Sequence, residues 1–203
     1  VILNGYASWV YYEEILGRPS KYKAFWWSPD SKKIGFYRFD NSDVPMFPIY
    51  SAFANPVAAA SQSQSPRVTD LGIGGALSET RYPKCGQTNP QVRIGIVELG
   101  SEIVWADFDP TLDQYFGIPF WEPDSQEFFI ARMPRLQNTI DLYAVNYTDG
   151  TKRHVYNETY KTWLNWFDGV IFTESGLYMA REFETGWQQI YFLSYDGKEF
   201  RRL

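Results

Sequence analysis

The chain has 203 residues, enough for one sizeable domain or part of a larger one, and 44% of them are hydrophobic. Its net charge of −5 comes from 19 basic and 24 acidic residues, and no Lys/Arg cluster forms a stripe able to follow a phosphate backbone, so nucleic acid is not an expected partner. Aromatic residues reach 19% while runs of Ala, Leu, Glu and Lys are scarce, which biases the chain towards strands and an all-β fold.

The start, Val1-Ile2-Leu3-Asn4, has neither the basic residues nor the length of a signal peptide, and, as it lacks an initial Met, the chain is expected to be an excised piece. No apolar run approaches the roughly 20 residues that cross a bilayer. "YASWVYYEEILG" (6–17) then sets Glu13 and Glu14 side by side behind a knot of aromatics. On a strand such neighbours point to opposite faces, but on a short helix they diverge by only about 100°, so both carboxylates reach one small cation. An ammonium group, with three donors, suits that arrangement, and its arrival relieves the repulsion between the two charges.

"WWSPDSKKIGFYRF" (26–39) and "FWEPDSQEFFIARM" (120–133) share Trp-x-Pro-Asp followed by alternating apolar residues, a turn delivering an inner strand. Asp149-Gly150 and Asp196-Gly197 make hairpin turns 47 residues apart. The two echoes are in phase at a spacing of about 47 residues, near the length of a four-stranded propeller blade. The expected organisation is a partial β-propeller of about three antiparallel blades: a tail at 1–21 ending a preceding blade and carrying the Glu-Glu helix, then blades at 22–104, 105–160 and 161–203. The stretch at about 43–89 is an excursion from the first blade, with a small, polar centre, "NPVAAASQSQSP" (55–66).

"WVYYEEILG", "AFWWSPDSKKIGFYRFDNSDVP" and "RYPKCGQTNP" resemble, in residues, order and spacing, the N-terminal β-propeller region of the dipeptidyl peptidase IV family of serine peptidases. The resemblance is closest over residues 9–50 and 80–98. It implies an eight-bladed propeller capping a separate α/β-hydrolase domain, a Glu-Glu pair at Glu13 and Glu14 that binds the free amino terminus of a peptide substrate, and an aromatic ring at Phe167 bordering the substrate cleft. It also implies a homodimer built in part by the 43–89 arm, and an exported protein, bacterial periplasmic or surface-bound. The catalytic Ser, Asp and His of that family belong to the hydrolase domain; no Gly-x-Ser-x-Gly elbow occurs here, so no catalytic residue is expected in this chain and the fragment alone is expected to be inactive.

Other readings stay open. Adjacent acids on a solvated turn are common, and "TWLNWF" (162–167) also reads as blade core. A glycosidase needs two carboxyl groups flanking a bond roughly 5–9 Å apart, which adjacent residues on one helix serve poorly. One His and one Cys, His154 and Cys85, offer no metal-ligand spacing, so no metal or cofactor is expected; His154 reads as a strand residue with a satisfied ring nitrogen, Cys85 as a packing residue. Two sequons, at Asn146 and Asn157, are short enough to arise by chance. The alternative to the peptidase is a propeller that binds without cutting, a receptor or scaffold, or more distantly a carbohydrate-binding propeller.

Overall fold

The computed structural model describes residues 1–51, 67–70, 76–167 and 169–203, almost all of it strand and turn. The first sheet contains β1 (Ile2–Asn4), β2 (Phe25–Trp27), β3 (Lys33–Asp40), β7 (Gln91–Glu98) and β8 (Val104–Trp105), in the order β1-β3-β7-β8 with β2 also on β3. β1 pairs with the end of β3, Leu3 opposite Phe39, and β2 with its beginning, Phe25 opposite Phe36, so the two are halves of one interrupted edge strand. The second sheet repeats the pattern: β9 (Gln114–Phe116) and β10 (Phe120–Trp121) both pair with β11 (Glu127–Pro134), followed by β12 (Thr139–Asn146) and β13 (Lys152–Thr159). The third, β14 (Ile171–Phe172), β15 (Gly176–Arg181), β16 (Gln189–Ser194) and β17 (Phe200–Arg202), is a plain four-stranded meander. These are three antiparallel propeller blades.

Residues 1–21, expected to end a preceding blade, instead begin the first one, because β1 lies in register on β3. The excursion expected at 43–89 is an inserted three-stranded sheet, with β6 (Ala76–Arg81) between β4 (Met46–Ser51) and β5 (Arg67–Asp70). Its centre at 55–66 lies outside the described residues.

The middle blade is apolar on both faces because it has a neighbour on each. From β11, Phe128 and Ile130 join Tyr37, Phe39, Ile94 and Ile96 of the first blade. The alternate residues Phe129, Ala131 and Met133 meet Leu177, Met179 and Leu193 of the third. The repeated Trp-x-Pro-Asp turns interlock: the Asp30 backbone N–H donates to Ser125 Oγ (3.1 Å) and the Trp121 indole N–H to the Trp26 carbonyl (3.1 Å).

The spacing of the Asp-Gly turns has a structural cause. Gly150 and Gly197 take left-handed φ values of 75° and 73°, and a Cβ on either would fall 2.1 Å from the Trp105 carbonyl oxygen or 2.5 Å from that of Val155. Each hairpin therefore presses bare backbone against the outer strand of the blade before it, a contact that only glycine permits.

Candidate functional site

The site is built on residues 5–24, which interrupt the first edge strand. Both ends of this insertion meet on one residue of β3: the Gly5 N–H donates to the Tyr37 carbonyl (2.9 Å) and the Tyr37 N–H to that of Ala24 (3.0 Å). Between them the chain forms one turn of helix that widens to a π-turn over Tyr11–Ile15, closed by Leu16 N–H on the Tyr11 carbonyl at 2.7 Å. Such turns concentrate at functional sites because they force side chains out of ordinary helical register.

Tyr11 is wholly buried, against Phe39, Tyr37 and Tyr115. Its hydroxyl accepts the Phe116 N–H at 3.0 Å, tying the turn to the break between β9 and β10 in the next blade. Burial drives its phenol far above the ordinary range, so it acts only as a neutral anchor. The Tyr37 hydroxyl donates to the Gly117 carbonyl at 2.6 Å in the same break. Ala7 and Leu16 join Tyr11 in the core, so the insertion is packed into the propeller rather than laid upon it.

The structure turns the two glutamates to different surroundings. Glu13 keeps 15% of its side chain exposed and accepts a hydrogen bond from Arg18 Nε at 2.7 Å; the Arg18 side chain is 75% exposed. This bond raises the Arg18 guanidinium further above its already high value. Tyr22 stacks between Tyr6 and Tyr12, ring centroids 4.9 and 3.8 Å away. Burial, then its tyrosine neighbours and Glu13, push its phenol up to about 12. Glu14 is exposed and, among the described residues, has no hydrogen-bond or ion-pair partner.

Glu14 lines a cleft of about 280 Å³ together with Val10, Ile15, Tyr115, Gln137 and residues 163–166, which include Trp163 and Trp166. Gly117 admits the Trp166 ring: a Cβ there would lie 2.7 Å from its Cε3 atom. The segment is pinned from behind by Arg181, whose Nε is 2.7 Å from Glu158 Oε2 with both side chains nearly buried and whose Nη1 donates to the Asn165 carbonyl at 3.2 Å. Phe167, expected to border a substrate cleft, is not among the residues that line this one. Its ring packs against Tyr156 and under the Arg181 guanidinium, on the core side. Nothing in the sequence singled out Arg18 or Tyr115; Trp163 and Trp166 lie within the "TWLNWF" run that reads as blade core, and their spacing in a segment without regular structure carries no signal that both reach the cleft.

Elsewhere, His154 Nε2 lies 3.1 Å from Asp141 Oδ1, a satisfied strand histidine. Cys85, expected to pack, is exposed. Among the described residues no cluster of three His, Cys, Asp or Glu could hold a metal ion, and no helix is long and apolar enough to cross a membrane.

The family model of the dipeptidyl peptidase IV (DPP IV) N-terminal region matches residues 1–203. The chain belongs to that family. Among its dipeptidyl peptidase relatives, a probable dipeptidyl peptidase 4 of Neosartorya fischeri is 37% identical over 144 residues, covering 71% of this chain and 15% of the relative. Inactive dipeptidyl peptidase 10 of Mus musculus is 28% identical over 172 residues, covering 81% and 19%. In fold, the crystal structure of Porphyromonas gingivalis dipeptidyl peptidase 4 matches with a TM-score of 0.74 at 22% identity, covering 99% of this chain and 26% of that one. The chain thus spans about a quarter or less of the length of these dipeptidyl peptidases.

Proposed function

We propose that this chain is the substrate-recognition part of a dipeptidyl peptidase IV-like serine exopeptidase, and that Glu13 and Glu14 bind the free amino terminus of the peptide. The observation that carries the reading is Glu14 itself: a carboxylate with no partner among the described residues, on a turn anchored by Tyr11, at the wall of a cleft with two tryptophans. Arg18 engages only Oε2 of Glu13, which leaves Oε1 and both oxygens of Glu14 to receive the three donors of an ammonium group. A clamp on the amino terminus, held at a fixed distance from a nucleophilic serine in a following hydrolase domain, measures off two residues. The whole protein then releases dipeptides, with Pro or Ala in second position, through an acyl-enzyme. Remote binding energy of this kind speeds the reaction by orienting the scissile bond. The same reading includes an exported homodimer joined in part by the inserted sheet, for which deletion of 54–80 should yield a monomer in sedimentation.

The test is Glu14→Gln in the intact protein. Loss of a charge-assisted, partly desolvated contact of about 2–4 kcal/mol lowers kcat/KM on a free-amino dipeptidyl substrate by about 30- to 1000-fold, while folding is little changed. An N-acetylated substrate, which has no cation, should be insensitive to the change. Wild-type kcat/KM in the mutant on the free-amino substrate would reduce the pair to a solvated turn. A second reading, a propeller that binds peptides without cutting them, draws on the likeness to an inactive dipeptidyl peptidase; on that reading Glu14→Gln weakens peptide binding and the intact protein releases no dipeptide.

A further inference from the structure

We propose that Arg18 is a specificity-determining residue: it cancels one of the two glutamate charges, so that the site takes a single ammonium group and gives no advantage to a peptide whose first residue carries a second cation. The inference rests on the reading of Glu13 and Glu14 as the amino-terminus site. Arg18 bonds the more buried of the pair, at 2.7 Å, while Glu14 stays open to the cleft. The loop is shaped to hold it there. Arg18 opens a tight turn, Arg18–Ser20, and the residues that follow, Lys21 and Tyr22, take left-handed φ values of 50° and 65°, a conformation that costs non-glycine residues energy. Tyr22, clamped between Tyr6 and Tyr12, holds that shape.

The charge count then decides the preference. Two carboxylates and Arg18 sum to one negative charge, which a substrate ammonium neutralises. A Lys or Arg side chain on the first residue brings a second cation within a Debye length, about 10 Å at 0.1 M salt, and finds no net charge left on these three groups to draw it. Without Arg18 it finds one. A surface ion pair with a purely local role would hold Glu13 in place and affect every free-amino substrate alike.

The experiment compares Lys-Pro and Met-Pro substrates, similar in length and differing in charge, on the intact protein and on Arg18→Gln and Arg18→Lys. In Arg18→Gln the ratio of kcat/KM for Lys-Pro over Met-Pro rises about five-fold at about 0.01 M salt, where screening is weak, and returns to the wild-type ratio near 1 M. Arg18→Lys keeps the wild-type ratio, and the wild-type ratio itself is flat with salt. An unchanged ratio in Arg18→Gln at low salt, or a wild-type ratio that falls steeply with salt, overturns the proposal. Either result, with free-amino preference still lost in Glu14→Gln, removes Arg18's role and leaves the site; retention of that preference in Glu14→Gln removes the site itself.

Discussion

The first two blades break their edge strand at the same place and use the break differently. In the second blade the gap is residues 117–119, and the chain passes straight from β9 to β10. In the first it is residues 5–24, clipped at its base to Tyr37 and returned to the core through Ala7, Tyr11 and Leu16. The short break helps to seat the long one: Phe116 at its edge donates its N–H to the Tyr11 hydroxyl, and the Gly117 carbonyl accepts from Tyr37, the β3 residue to which both ends of the insertion are clipped. A functional segment can therefore be added to a repeat without disturbing its register, provided that the neighbouring repeat supplies polar backbone to hold it.

The most severe way to break this relation is Tyr11→Ala. Truncating a fully buried ring and orphaning the Phe116 N–H should destabilise the protein by about 3–5 kcal/mol in urea unfolding, and the free-amino preference proposed above should fall with it. A loss under about 1 kcal/mol would mean that the insertion is not tied to the core. Next comes Gly117→Ala, whose new Cβ collides with the Trp166 ring. About 1–3 kcal/mol of overpacking is expected, with a change in tryptophan fluorescence as the ring moves; unchanged emission would argue against that contact. Tyr37→Phe removes only the donor to the Gly117 carbonyl and should cost about 1 kcal/mol. Loss additive with that of Tyr11→Phe would show the two hydroxyls acting independently.

The smallest effect concerns the paired turns of these blades. In the first, Lys33 Nζ (2.7 Å), Ser28 Oγ (2.6 Å) and the Lys32 N–H hold the Asp30 carboxyl well below its ordinary range. Its contribution is present above the unfolded value, about 4, and is lost as the pH falls through the lower folded value. In the second, Glu122 stands where the first has Ser28, and burial, then repulsion from Asp124, pushes its carboxyl up to about 7. Its contribution has the opposite sign, present below the unfolded value and lost as the pH rises through about 7. Glu122→Gln should thus stabilise the protein more at pH 8 than at pH 5 in denaturant melts. An equal effect at both would remove the contrast.

The blade pattern was legible in the sequence because the second and third blades each press a left-handed glycine against the backbone of the blade before, so their Asp-Gly turns stand at a matching position in each repeat. The Trp-x-Pro-Asp turns were legible for the same reason, since Trp121 and Ser125 bond the matching turn next door. The place of Ile2–Asn4 was not. Three residues carry no local signal for pairing with Arg38–Asp40, a contact closed across a whole insertion. Glu13 and Glu14 stood out as adjacent charges, but their divergence towards Arg18 and towards the cleft depends on a π-turn and on two left-handed residues that nothing in their side chains announces.

The hairpin glycines bear also on how the protein ages. An Asp-Gly bond rearranges to isoaspartate when the glycine nitrogen attacks the aspartate carboxyl, water leaves to close a succinimide and hydrolysis opens the ring at its other carbonyl; the sequence has three such bonds, two of them in the hairpin turns at 149–150 and 196–197. Here the Gly150 N–H is held by the Asn146 carbonyl at 3.0 Å and the Gly197 N–H by that of Ser194 at 2.9 Å. Asp149 Oδ1 accepts from the Thr151 N–H and hydroxyl, and Asp196 Oδ1 from the Ser194 hydroxyl and the Lys198 N–H, so each carboxyl is held by donors other than the glycine nitrogen. With the chain also pressed against the preceding blade, these two bonds should outlast the same dipeptides in an unfolded chain, and their conversion would serve as a clock for blade opening.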